Sequence, residues 1–77
     1  MKECYIEYRK AGKPYADSVM EVAAVRADGK TLISYTYPTD PAIFDEKHIT
    51  FAYDSVYEWT RQHGYTINMT LAPESNA

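Results

Sequence analysis

Cysteine occurs once in this chain, as Cys4, so no internal disulfide can staple the fold. Its Cys-Tyr-Ile setting reads as a small buried hydrophobe on the inner face of a strand. Glycine occurs only three times, at Gly12, Gly29 and Gly64, and no glycine-rich loop of the kind that cradles phosphates can be built from them. No apolar run approaches the ~20 residues of a membrane span, and no secretory leader opens the chain, which sets the expectation of a cytoplasmic protein. Asn68-Met69-Thr70 matches the glycosylation sequon, but such a chain would not meet the enzyme that reads it.

Metal ligands are equally sparse. Cys4, His48 and His63 form no close pair, so neither a metal nor another cofactor is expected. Asp45, Glu46 and His48 are titratable groups within four residues. On an extended segment, however, such neighbours point to opposite sides rather than converge on one reacting atom. The expectation is a protein without catalytic residues. Basic residues are the minority sign, eight against eleven acidic, for a net charge of −3. That balance argues against the phosphate backbone as main partner, because counterion release needs many cations.

What the sequence does have is aromatic bulk: eight Tyr, two Phe and one Trp in 77 residues. A single domain of this size, expected over 1–71 with a disordered tail at 72–77, buries only roughly 60% of its unfolded surface. Large side chains compensate for a thin core. Tyr5, Tyr15 and Tyr57 fit no buried stripe and are expected at the surface, where tyrosines commonly serve interfaces.

Along the chain, residues 3–9 alternate as a strand with Cys4, Ile6 and Tyr8 on its apolar face. Gly12 and Pro14 mark 10–17 as a surface connection. Residues 18–27 are apolar almost all round. Asp28-Gly29 reads as a two-residue hairpin turn that pairs Ala24 with Ile33, Val22 with Tyr35 and Met20 with Tyr37, and on the other face Val25 with Leu32 and Ala23 with Ser34. Strand is the preferred reading; helix is the alternative, since Ser18-Val19-Met20-Glu21 also fits a capping box and Asp-Ser-Val recurs at 17 and 54.

Residues 30–37 form a strand, and 38–46, with two prolines and three carboxylates, a loop in which Ile43 and Phe44 could pin the chain to the body. Ile49, Phe51 and Tyr53 alternate as a short strand. Ser55 and Glu58 form a capping box that starts a helix over 55–63, with Val56, Trp59, Thr60 and His63 on its inward stripe. Gly64 ends that helix, Tyr65 folds back on Trp59, and 65–71 alternate as a last strand.

The expected fold is therefore α+β: a small, mainly antiparallel sheet of four to five strands with one short helix (55–63) on one face. A βαββαβ arrangement is the alternative if 18–27 is helical.

Charge is unevenly spread. Residues 1–13 carry +2, whereas Asp40 to Glu58 carries five carboxylates against Lys47, or −4. The preferred function is a small non-enzymatic protein-binding module that presents Asp40, Phe44, Asp45, Glu46, Asp54, Tyr57 and Glu58 to a basic surface of a nucleic-acid-handling protein. Phages and other mobile elements make short acidic inhibitors of that kind, anti-CRISPR proteins among them, and the likeness is one of size and charge. Two alternatives stand beside it: a nucleic-acid-binding module using a tyrosine-bearing sheet face with Tyr5, Arg9, Lys10 and Lys13, and an inert regulatory or antitoxin-type domain whose acidic segment only keeps it soluble. A sheet edge could also pair with a second copy.

Overall fold

The computed structural model describes residues 2–73. Three long strands come first: β1 (Lys2–Lys10), β2 (Val19–Arg26) and β3 (Thr31–Pro38). A helix, α1 (Glu46–Gln62), follows, then a short strand β4 (Tyr65–Ile67) and a 3-10 turn at Met69–Leu71. The sheet order is β3-β2-β1-β4, antiparallel except that β4 runs parallel to β1. The fold is α+β with one helix on one face, as the patterning indicated.

Residues 19–26 are a strand because they are central. Val22 and Ala24 face α1 while Ala23 and Val25 face the opposite side, and all four are buried. A strand covered on both faces carries apolar residues at every position, which is why its sequence looks apolar all round.

The β2–β3 register is the expected one over most of its length, with Ala24 opposite Ile33, Val22 opposite Tyr35 and Met20 opposite Tyr37. The turn differs. Arg26 N–H donates to Lys30 O at 2.9 Å and Gly29 N–H to Arg26 O at 2.9 Å, so the loop holds three residues, 27–29, with Gly29 at φ 90°. This is the hairpin in which a left-handed residue closes a three-residue loop. The register then shifts by one at Ala24/Val25, so Val25 meets Thr31 instead of Leu32. The bulge cancels the longer loop, and Leu32 joins Ile33 against the helix-side core instead of facing away from it.

The helix is longer than 55–63. It starts at Asp45, whose carboxylate accepts the Lys47 N–H at 3.0 Å while its own N–H donates to His48 Nδ1 at 3.3 Å. A histidine thus takes the place that Glu or Gln usually holds in the capping box. Ser55 is interior, its hydroxyl donating to Phe51 O at 2.8 Å. The expected strand at 49–53 is therefore helix: Ile49, Ala52, Tyr53, Val56 and Thr60 form one stripe at helical spacing, facing the sheet. The β-branched and aromatic residues there are tolerated because tertiary packing outweighs intrinsic propensity.

At the other end Gly64 takes φ 77° and donates to Arg61 O at 3.2 Å. Trp59 is half-buried at the flank of the helix and stands outside the core. Its ring stacks on His63 with centroids 3.9 Å apart and on Tyr65 at 6.1 Å, with Lys2 Nζ 5.4 Å above the Tyr65 ring.

Two apolar clusters sandwich the sheet. Cys4, Ile6, Val22, Ala24 and Tyr37 meet Ala52 and Val56 of α1 on one face. On the other, Tyr5, Ala23 and Val25 lie under Leu71 and Ala72. Tyr5 is thus buried, not exposed as its spacing suggested. β4 ends early because Asn68 bonds locally: its Oδ1 accepts the Thr70 N–H at 3.1 Å while its Nδ2 donates to Glu3 Oε2 at 2.7 Å, which turns the chain under the sheet. The strand expected over 65–71 is thus three residues long. Of the expected tail, 74–77 lie outside the described residues, and Ala72 packs on the second cluster.

Candidate protein-interaction surface

With Ile49, Val56 and Thr60 turned inward, geometry puts Lys47, Phe51, Asp54 and Glu58 along the opposite line of α1, at i, i+4, i+7 and i+11. All four are exposed. Phe51 stands out, since 69% of a large apolar side chain lies in water at mid-helix. Glu46, Lys47, Thr50, Phe51 and Asp54 line one shallow depression, so two of the expected carboxylates, Glu46 and Asp54, come together around that ring. Glu58 lies one turn further on, 3.5 Å from Arg61.

The remaining expected residues divide by role. Asp40 organises the loop before the helix: its Oδ1 accepts the Ala42 N–H at 2.9 Å and its carbonyl accepts the Ile43 and Phe44 N–H groups at 3.0 and 2.8 Å. Ile43 and Phe44 are not pinned to the body; they are 61% and 42% exposed. Asp45 is committed to the helix cap, and His48 with it, which accounts for that titratable group structurally. Tyr57, 43% exposed, lies on another flank, where it stacks on Tyr53 at 6.3 Å and lines a cleft with Arg61 and Tyr65.

Phe51 is the site residue that sequence reasoning missed. Alternation over 49–53 assigned it to a buried strand face, whereas helical spacing from Ile49 to Thr60 leaves it on the outer line. The signal was the 3.6-residue spacing itself.

The alternative site on β1 loses its aromatic and its arginine, while Lys10 and Lys13 remain exposed. Tyr5 is buried and cannot stack on a base. Arg9 is held by Glu21 and, at 2.9 Å, by Glu7; the hydrogen bond with Glu21 is the main reason that its guanidinium is held even above the usual arginine range. The sheet face that bears Tyr37 is the one α1 covers, leaving Tyr8 and Tyr35 at its margins, 49% and 39% exposed.

No group of three or more His, Cys, Asp or Glu among the described residues is arranged to hold a metal ion. No described helix is long and apolar enough to cross a membrane. An open depression between Lys2, Arg26, Asp28, Tyr65 and Leu71 is lined by charges already engaged: Arg26 with Asp28 at 2.5 Å and Lys2 with Tyr65. Against known proteins, no family model matches the chain, and neither a curated protein nor a solved structure does.

Proposed function

We propose that the protein is a small, non-enzymatic, cytoplasmic binding module whose outer helix face docks on a basic surface of a protein that handles nucleic acid, and inhibits it by occlusion. The exposed Phe51 between Glu46 and Asp54 carries this reading. A ring that contributes nothing to the core, set among carboxylates, has the composition of an aromatic anchor with a charged rim. The complementary surface would offer an apolar recess edged by Lys or Arg, and such edges are common where proteins grip phosphates. Ile43 and Phe44, exposed just before the helix cap, extend the apolar part. A mobile-element inhibitor, of the type to which anti-CRISPR proteins belong, fits the size and the acidic balance.

The test compares tagged wild type with Phe51→Ser, with Asp54→Lys/Glu58→Lys, and with Tyr15→Ser as a remote control, each used to recover partners from host lysate. Asp45 is left intact because it caps the helix. The expected result is one protein recovered by wild type and by Tyr15→Ser, lost with Phe51→Ser, and weakened by charge reversal and by added salt. Equal recovery by all four would remove the helix face as the docking surface.

A further inference from the structure

One long strand edge in this molecule carries, over its central stretch, none of the devices that usually keep edges apart. β3 is the outermost strand, with only β2 beside it. Thr39 N–H donates to Ser18 O, and Met20, Val22 and Ala24 pair with Tyr37, Tyr35 and Ile33. Backbone groups alternate in direction along a strand, so those of Ser34 and Thr36 point away from the sheet. The stretch from Thr31 to Tyr37, TLISYTY, has no charge and no proline. Exposed edges normally use Lys, Pro or brevity against pairing with another chain. Here the interruptions sit at the two ends only, the bulge at Leu32 and the missing donor of Pro38.

We propose that a second copy of this chain pairs with that edge, β3 against β3 in antiparallel sense about a two-fold axis at Tyr35, to give a continuous eight-stranded sheet. In this register Ser34 of each chain exchanges N–H and C=O with Thr36 of the other, which satisfies every outward backbone group between the two interruptions with four hydrogen bonds. Tyr35 meets its own copy at the closely spaced, non-hydrogen-bonded position, where aromatic pairs gain most. Ile33 lies opposite Tyr37, and Pro38 opposite the bulged Leu32, where the new ladder ends. Counted past the bulge, Lys30 falls opposite Thr39 of the second copy at both ends, which makes Lys30 and Asp40 neighbours across the seam. Both are exposed and opposite in charge, so two chains of net −3 attract at the seam.

Shifting the centre is worse in either direction. Centring on Ser34 asks the bulged Leu32 to hydrogen-bond regularly, and centring on Thr36 sets the Ser34 carbonyl against a proline that has no N–H. The surface is separate from the outer helix line, so the two readings stand or fall independently.

The test is sedimentation equilibrium of the full chain from micromolar to millimolar concentration, together with cysteine trapping. The expected mass rises from 8.8 kDa to twice that value. Ser34→Pro removes an outward N–H and leaves the β2 ladder intact, so it should weaken the dimer roughly tenfold or more while the circular dichroism spectrum is kept. Lys30→Glu should weaken it further at low salt than at high salt. Tyr35→Cys should form a covalent dimer with oxidised glutathione, because Cα atoms at such a position are within disulfide reach, whereas Thr36→Cys should not. A chain that stays at 8.8 kDa throughout, or a folded Tyr35→Cys that does not cross-link at millimolar concentration, would overturn the proposal.

Discussion

Asp45 shows how one residue can be misassigned by its charge. It belongs to a run of carboxylates and looks like part of a solvated acidic surface, yet it accepts the Lys47 N–H and anchors a reciprocal cap with His48. Losing such an N-cap typically costs about 1 kcal/mol. In a domain of this size that lowers the melting temperature by roughly 4–8 °C. Asp45→Ala should therefore melt measurably lower in a calorimeter than wild type, whereas Glu46→Gln, which loses only a first-turn charge, should shift it far less. Equal melting of the two variants would mean that the helix does not depend on this cap.

Within α1, two opposite lines follow from one spacing. The inner line, Ile49 to Thr60, docks on β2 and β3, and burial of Ala52 and Val56 to 1% and 0% shows how closely the backbones approach. The outer line is left to Phe51 and the charges. Gly64 sets the boundary, since its positive φ lets the chain reverse and lay Tyr65 beside β1. A Cβ at Gly64 would meet nothing within 4 Å, so Gly64→Ala isolates the backbone term, expected at about 1 kcal/mol and measurable by urea unfolding. Gly64→Asn should cost less, because Asn tolerates the left-handed region. A Gly64→Ala variant as stable as wild type would show that the reversal is not held at this residue.

Across the whole molecule the helix-side cluster couples stability to alkaline pH. Burial pushes the Cys4 thiol and the Tyr37 phenol above their usual ranges, and burial followed by the charges of Tyr53 and Tyr37 does the same for Tyr8. In each case the folded value is raised, so the neutral form favoured by folding is fully present below the unfolded value and its contribution is lost as pH rises. Thermal stability should thus stay flat near neutrality, begin to fall above about pH 8.5 as unfolded Cys4 ionises, and fall more steeply above about pH 10 with the tyrosines. Tyr8→Phe should soften the steeper part. A melting temperature that does not change up to strongly alkaline pH would mean that these groups titrate alike in both states.

By itself the sequence determined the hairpin and its pairing over residues 20–24, the inward face of β1, the end of the helix at Gly64 and the meeting of Tyr65 with Trp59. These depend on short-range rules: period-two alternation, a glycine with positive φ, and a turn signal between two apolar runs. Only the tertiary structure decided whether 49–53 is strand or helix, because Ile49, Phe51 and Tyr53 alternate while Ile49, Ala52, Tyr53 and Val56 also recur at helical spacing, and the sheet face waiting for α1 selects the second pattern. It likewise buried Tyr5, since the surface that covers it comes from Leu71 and Ala72, more than sixty residues away in the chain. Phe51 was left in water for the same reason. A helix has one line to give the sheet, and the residue opposite that line remains outside whatever its hydrophobicity.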